Sequence, residues 1–393
     1  MYSKKQVIKI AAISCVIALL AGVLATTAYH KVNDFLNEDV LSKAKKIISQ
    51  NYVDTLTDEQ KDQMDDAALT ALVASLQDPY SYYFDVETFG EFEENNKEEY
   101  VGIGISVIYD ENEKTLTVVA PTAGAPAEKA GILPKDLVLG VDDLTLSADG
   151  YNAVMSHIKG GKEGDTVTLY IKRGNENLEF SLKREKISLN TISEKMLGDN
   201  IAYIKISEFQ HNSIEHFKQA LNNIKEKGAK GLIIDLRSNP GGYADSVIKM
   251  TDMLLPKGTI AYLEDNKGNK EYFNSDKKCL EIPMIVLVNE GTASAAELMA
   301  GSLQAYDKAE IVGKKTYGKA VGQTPFMLTD KTAIYLTSAR YYTPKGECID
   351  KKGITPDVEI DLPEELKVNL SGLSESQDVQ LQAALETIMK KVK

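Results

Sequence analysis

Hydrophobic positions change their period several times along this chain. Residues 10–28 form an almost uncharged run, preceded by Lys4, Lys5 and Lys9 and closed by His30 and Lys31. About 20 apolar or small residues are enough to span a bilayer as one helix, and lysines before the span hold its N-terminus in the cytoplasm. The pattern predicts a single-pass membrane anchor over residues 1–35, with everything after it outside the cytoplasmic membrane. A signal peptide cleaved near Thr26-Thr27-Ala28 is the competing reading, and the length of the run favours the anchor. A lipoprotein would need Cys15, which lies mid-span behind Ala12-Ile13-Ser14, a poor context for lipidation.

From 36 to 78 the apolar period is helical. Val40, Leu41, Ala44, Ile47 and Ile48 share one face, as do Ala67, Ala68, Ala71, Leu72 and Leu76, with Asp58 as cap of the second helix. Asp78-Pro79-Tyr80-Ser81 breaks the pattern, and an acidic stretch over 91–99 follows. Residues 36–98 read as a small helical segment without chemistry of its own. Between 99 and 185 strict alternation takes over. Strands are expected near 100–105, 116–120, 136–141, 166–172 and 178–182, with a short helix at 127–130 and another at 153–158.

From 186 to 365 strands and helices alternate. Strands fall at 201–206, 231–236 and 284–288, and helices at 213–227, 246–255 and 295–306. Paired strands at 309–313, 325–328 and 332–342 close the region. Alternation of this kind implies a multidomain α/β protein whose largest sheet is mostly parallel, with its site where strands end and helices begin. The last segment, 366–393, carries Leu381, Ala384, Leu385, Ile388 and Val392 on one helical face. Such a face suits a docking or homodimer contact, or packing within one subunit.

Composition narrows the function. The chain has 393 residues, enough for two or three folded units, and its 43% hydrophobic and 26% charged residues are those of a globular protein. A net charge of −13 with interspersed lysines excludes nucleic acid as a partner. Cys15, Cys279 and Cys348 form no Cys-x-x-Cys pair and no Cys/His cluster, so no metal or other cofactor is expected. A Cys279–Cys348 disulfide and two idle thiols are both compatible with the sequence.

Three segments could carry chemistry. Asp235-Leu236-Arg237-Ser238-Asn239-Pro240-Gly241-Gly242 ends a buried strand in a tight turn whose exposed N–H groups suit an oxyanion. Asn289-Glu290-Gly291-Thr292-Ala293-Ser294-Ala295-Ala296-Glu297 follows a second buried strand and opens a helix. Ser294 would meet the unpaired N–H groups and the dipole of that helix. Alone, the segment reads first as a capping box, Ser294 with Glu297 three positions on. In Thr316-Tyr317-Gly318-Lys319-Ala320-Val321-Gly322-Gln323 a lysine stands among small and apolar residues. To act as a base near neutrality its pKa must fall from about 10.4, at a cost of ~4 kcal/mol, which burial can supply. Gln323 can orient the amine without fixing it as a cation.

Together these segments resemble the S41 family of C-terminal processing peptidases. The resemblance implies a serine endopeptidase with Ser294 as nucleophile, Lys319 as general base and Gln323 in support. Backbone N–H groups of Gly241 or Gly242 with that of Ala295 would form the oxyanion hole. It extends over the anchor, the helical segment, the α/β core and the C-terminal helix. Residues 99–185 resemble a PDZ domain, in which a glycine-flanked loop holds a free C-terminal carboxylate while the peptide adds a strand to the sheet. Val101, Gly102, Ile103 and Gly104 would be that loop. Two turns depart from the pattern, with Lys135-Asp136 in place of Gly-Asp and Asp142-Asp143 in place of Asn-Gly. Lys159 stands where relatives often carry arginine, which keeps the charge but loses the planar fork. The implied partners are protein or peptide substrates with free, apolar C-termini in a bacterial envelope. A Ser-His-Asp hydrolase has only His30, His157, His211 and His216 to draw on, none in a comparable motif. A non-catalytic tail-binding protein would not need Ser294, Lys319 and Gln323 together.

Overall fold

The computed structural model of the chain describes residues 39–95, 99–111, 114–122, 124–188, 190–276, 278–367 and 373–392. The expected membrane anchor lies outside these residues. Among the described residues no helix is long and apolar enough to cross a membrane. The chain divides into two compact units, Met1–Asp85 and Val86–Lys393.

The first unit contains α1 (Val40–Asn51), α2 (Asp58–Ala74) and the short β1 (Tyr82–Phe84). Asp39 caps α1 by accepting from the N–H groups of Leu41 and Ser42. The cap of α2 is Thr57, one residue before the Asp58 expected: its hydroxyl accepts from Gln60 N–H, and the Gln60 side chain accepts from Thr57 N–H. This reciprocal pair is a capping box, which satisfies two backbone donors at once. Beyond α2, Asp78 accepts from Tyr80 N–H and the Ser81 hydroxyl, which makes the turn at Asp78-Pro79-Tyr80-Ser81.

The second unit opens with α3 (Val86–Asn95), a helix whose second half falls in what reads as an acidic stretch. A β-rich domain follows: β2 (Glu99–Gly102), β3 (Ile105–Asp110), β4 (Thr115–Pro121), α4 (Pro126–Lys129), β5 (Leu137–Val141), β6 (Leu144–Thr145), α5 (Leu146–Lys159), β7 (Thr166–Arg173), β8 (Glu176–Lys183) and β9 (Glu185–Ser188). The antiparallel order is β3-β4-β5-β7-β8 with β6 beside β5, around a core that includes Ile103, Leu116, Val141, Val154 and Leu169. Strands β2 and β9 pair outside this sheet, so the chain enters and leaves the domain through one antiparallel ribbon. The two departures from the PDZ pattern sit in left-handed backbone, Lys135 at φ 74° and Asp142 at φ 46°. Glycine or asparagine takes that conformation at lower cost than a bulky side chain.

The α/β core comprises β10 (Ile192–Met196), β11 (Ile201–Ile206), α6 (Ser213–Glu226), β12 (Gly231–Asp235), α7 (Ala244–Asp252), β13 (Gly258–Asp265), β14 (Lys270–Ser275), β15 (Met284–Val288), α8 (Ala295–Ala305), β16 (Ala309–Gly313), β17 (Val321–Met327), β18 (Ala333–Tyr342), β19 (Val358–Glu359), α9 (Glu364–Lys367) and α10 (Val379–Met389). Its main sheet runs β10-β11-β12-β15-β16-β19, parallel throughout except for β10 at the edge. Every residue of β12 and β15 is buried, as strands covered on both faces must be. Leu232, Ile234, Val286 and Val288 pack against α6, α7 and α8, while Ile233, Ile285 and Leu287 meet Leu381, Ala384 and Ile388 of α10. The apolar face of the last helix is therefore packed within its own chain. A second, antiparallel sheet joins β17 to β18, β18 to β13 and β13 to β14. Cys279 and Cys348 are free thiols.

Candidate active site

Parallel strands deliver three loops to one edge of the main sheet: 236–243 after β12, 289–294 after β15 and 314–320 after β16. Ser294 stands between β15 and α8 at φ 54°, ψ −119°, a conformation costly for any residue but glycine. The surroundings hold it there from both sides. Its N–H donates to Glu297 Oε2 at 2.9 Å, and its carbonyl accepts the buried Tyr341 hydroxyl at 2.9 Å and Leu298 N–H at 3.0 Å. Burial raises the Tyr341 pKa, with the Glu297 charge adding to the effect, so the phenol remains a donor.

Glu297 does more than close a capping box. Its fully buried carboxylate accepts from Ser294 N–H and Lys319 N–H (2.8 Å) on Oε2, and from Gly318 N–H (2.7 Å) and the Thr316 hydroxyl on Oε1. One side chain thus ties the turn that carries the serine to the loop that carries the lysine. Burial lifts the Glu297 carboxyl above its usual range, and the donors pull it part of the way back. Sequence reading assigned Glu297 only to the cap. The donors that complete its shell come from residues whose spacing to it is set by the fold.

The turn after β12 is fixed from beneath. Arg237, 2% exposed, donates to both oxygens of Asp235 and both of Asp378, and to Gln380 Oε1. Tyr203 donates to Asp235 Oδ2 at 2.6 Å. Burial alone would raise the Asp235 pKa, but the charge and hydrogen bonds of Arg237 outweigh it and hold the carboxyl below its ordinary value. Asn239, fully buried, donates to Ile206 O and accepts Gly241 N–H at 2.8 Å. Of the three residues expected as oxyanion donors, Gly241 has its N–H engaged within its own turn, and Gly242 and Ala295 line the cleft. Both glycines are required by space: a Cβ on Gly241 would lie 2.9 Å from Ser294 Cβ, and one on Gly242 would lie 2.2 Å from Phe209 O.

Ser294, Ala295, Gly242, Lys319 and Gln323 all line one cleft of about 370 Å³. Its walls are apolar where Val247, Ile248, Leu263, Leu298 and Val321 contribute. Thr337 accepts from Gln323 Nε2 at 3.1 Å and so fixes which end of that amide faces β18. Among the described residues no group of three or more His, Cys, Asp or Glu side chains could hold a metal. The remaining expected residues lie elsewhere, in the β-rich domain. Val101 and Gly102 belong to the ribbon strand β2, so only Ile103 and Gly104 form the loop before β3. Gly104 takes φ 73°, and a Cβ there would lie 2.3 Å from Ala125 Cβ. Lys159 is exposed at the end of α5.

Residues 200–360 match the description "Peptidase family S41", residues 101–183 match "PDZ domain" and residues 24–88 match "Activating protease CtpB N-terminal domain". The chain is 37% identical over 333 residues to the carboxy-terminal processing protease CtpA of Bacillus subtilis, covering 84% of this chain and 70% of that one. It is 33% identical over 365 residues to a probable CtpA-like serine protease of Staphylococcus aureus, covering 90% and 72%. Among solved structures it is similar to a photosystem II D1 C-terminal processing protease, with 26% identity, a TM-score of 0.50 and coverage of 84% and 91%. A putative S41 protease of Bacteroides fragilis shares the fold at 19% identity, with a TM-score of 0.55 and coverage of 89% and 97%.

Proposed function

This chain belongs to peptidase family S41 and is a carboxy-terminal processing serine endopeptidase with a PDZ domain; on that premise we propose that Ser294 is its nucleophile and Lys319 its general base. The observation that carries this reading is the Glu297 carboxylate, which binds the backbone N–H of both residues and so joins their loops at one cleft. The neutral Lys319 amine takes the hydroxyl proton as Ser294 Oγ attacks the peptide carbonyl. The N–H groups of Gly242 and Ala295 stabilise the oxyanion, and donors fixed before the reaction need no reorganisation as charge develops. Lys319 then gives the proton to the leaving amine, and water, deprotonated in turn by Lys319, cleaves the acyl-enzyme. Gln323 orients the amine. Its Nε2 end is engaged by Thr337, which leaves the acceptor end for Lys319.

The substrates of this reading are proteins with free, apolar C-termini. The PDZ domain captures the terminal carboxylate on the backbone around Ile103 and Gly104, with Val101, Gly102 and Lys159 beside it, and the apolar cleft receives the residues near the scissile bond. Residues 10–28 anchor the enzyme, and the catalytic part works outside the cytoplasmic membrane. The test is cleavage of an unstructured protein ending in apolar residues by wild type, Ser294→Ala and Lys319→Ala. Cleavage by wild type alone supports the dyad, and cleavage surviving in Lys319→Ala points to a different base. Equal cleavage of a C-terminally amidated substrate would count against carboxylate capture.

A further inference from the structure

Strand β17 leaves the catalytic loop at Val321, and among the described residues it pairs only with β18. Its other edge, among the described residues, carries no partner strand. Which backbone groups face that edge follows from the pairing. Tyr341 N–H donates to Ala320 O at 3.1 Å, so residues 320 and 341 form a hydrogen-bonded pair. The next pair, Val321 with Arg340, is then a non-bonded pair whose N–H and C=O groups point away from each other. Gly322 pairs with Ala339 and Gln323 with Thr337, so Ser338 is a bulge on β18 and the alternation resumes one residue later. Pro325, opposite Tyr335, fixes the phase independently. Proline has no N–H to give a ladder and is tolerated in a strand where that position faces outward. Pro325 therefore faces the open edge, and with a period of two so does Gln323.

The open edge also meets the cleft. Val321, Gly322, Gln323 and Thr324 all line the cavity that holds Ser294 and Lys319. A cavity lying against one face of a strand touches every second residue, because side chains alternate between faces. Four consecutive residues lining one cavity mean that the cavity is not confined to one face of the strand.

We infer that the outward edge of β17 is a rail for the substrate main chain. An extended segment beside the scissile bond adds a strand to this sheet, and one of its residues pairs with both the N–H and the C=O of Gln323. Strand addition of this kind fixes the substrate's distance from Ser294 without reading its side chains. The rail is short by construction. Pro325 offers a carbonyl but no donor, so the ladder weakens within two residues of Gln323, and the same proline protects the edge from pairing with a second protein. Gln323 thus acts twice, with its side chain in the supporting role proposed above and its backbone toward the substrate.

This inference rests on the reading of the cleft as the active site, and the two can fail separately. The experiment is amide hydrogen exchange, resolved residue by residue, on the full chain carrying Ser294→Ala, with and without a saturating apolar-tailed peptide that the wild-type chain cleaves. The Gln323 amide is expected to exchange fast in the free protein and at least tenfold slower with peptide. Thr324 and Phe326, whose N–H groups face β18, are expected to be protected in both states. Wild-type cleavage combined with unchanged exchange at Gln323 in the peptide-saturated variant overturns the rail and leaves the dyad standing. A wild-type chain that cleaves none of the peptides offered overturns the active-site reading, and the rail with it.

Discussion

At the scale of single residues, the site depends on a few groups that hold strained or buried neighbours. Glu297→Gln keeps shape but puts an NH2 group where one oxygen accepts two donors. Two buried donors lose their acceptor, at about 1–3 kcal/mol each. Peptidase assays should show kcat lowered by about 10- to 100-fold with KM little changed, because the substrate cleft is untouched. Lys135→Gly should act in the opposite sense. A lysine at φ 74° carries a left-handed penalty of ~1–2 kcal/mol, and removing it should stabilise the PDZ domain by about 1 kcal/mol in urea unfolding after the loss of unfolded-state restriction. Sequence and structure meet unevenly at this scale. Ser294, Lys319 and Gln323 were legible because their motifs follow strand ends that a buried apolar run marks clearly. The fourfold role of Glu297 and the capture of Gly241 N–H by Asn239 were not. Both depend on hydrogen bonds between or within loops whose spacing in sequence carries no period.

At the scale of elements, the loop after β12 and the helix α10 are joined through Arg237. Arg237→Met leaves Asp235 and Asp378 facing each other without their cation, a change of about 3–5 kcal/mol when a buried pair is broken, and thermal unfolding should show it. The sign of the pH effect follows from Asp235. Its carboxyl titrates lower in the folded chain than in the unfolded chain. The stabilisation is complete above the unfolded value of about 3.9 and is lost as pH falls through the folded value. The melting temperature of wild type should therefore drop on acidification below about pH 4, and Asp235→Asn should flatten that drop while lowering stability at neutral pH. Elements with strong periods were legible, including β12, β15 and α8. The hairpin β13–β14 was not, since β14 reads Lys-Glu-Tyr-Phe-Asn-Ser with most side chains exposed. Helix α3 hid in an acidic stretch because its apolar residues, Val86, Phe89 and Phe92, are diluted by glutamates.

At the scale of the whole molecule, the second unit combines a PDZ domain with an α/β peptidase core, and the β2–β9 ribbon is the connection through which the domain's two ends pass. The core is closed from below by α10. Ile388→Ala removes a fully buried side chain that also lies against Gly231, and should cost about 2–5 kcal/mol in global unfolding. Fold class and domain order could be read from the chain because the period changes where the architecture changes. The partner of α10 could not, since an amphipathic face records that it is covered and not by what. The dyad itself is open to a direct chemical test. Wild type and Lys319→Ala would be treated with a serine-reactive fluorophosphonate, and the modified residue and its rate of labelling read by mass spectrometry. The mechanism predicts a single adduct on Ser294 in wild type, with labelling slowed by about 10²-fold or more in Lys319→Ala, because the hydroxyl has lost its base. An adduct elsewhere, or Ser294 labelled at the wild-type rate without Lys319, would contradict it.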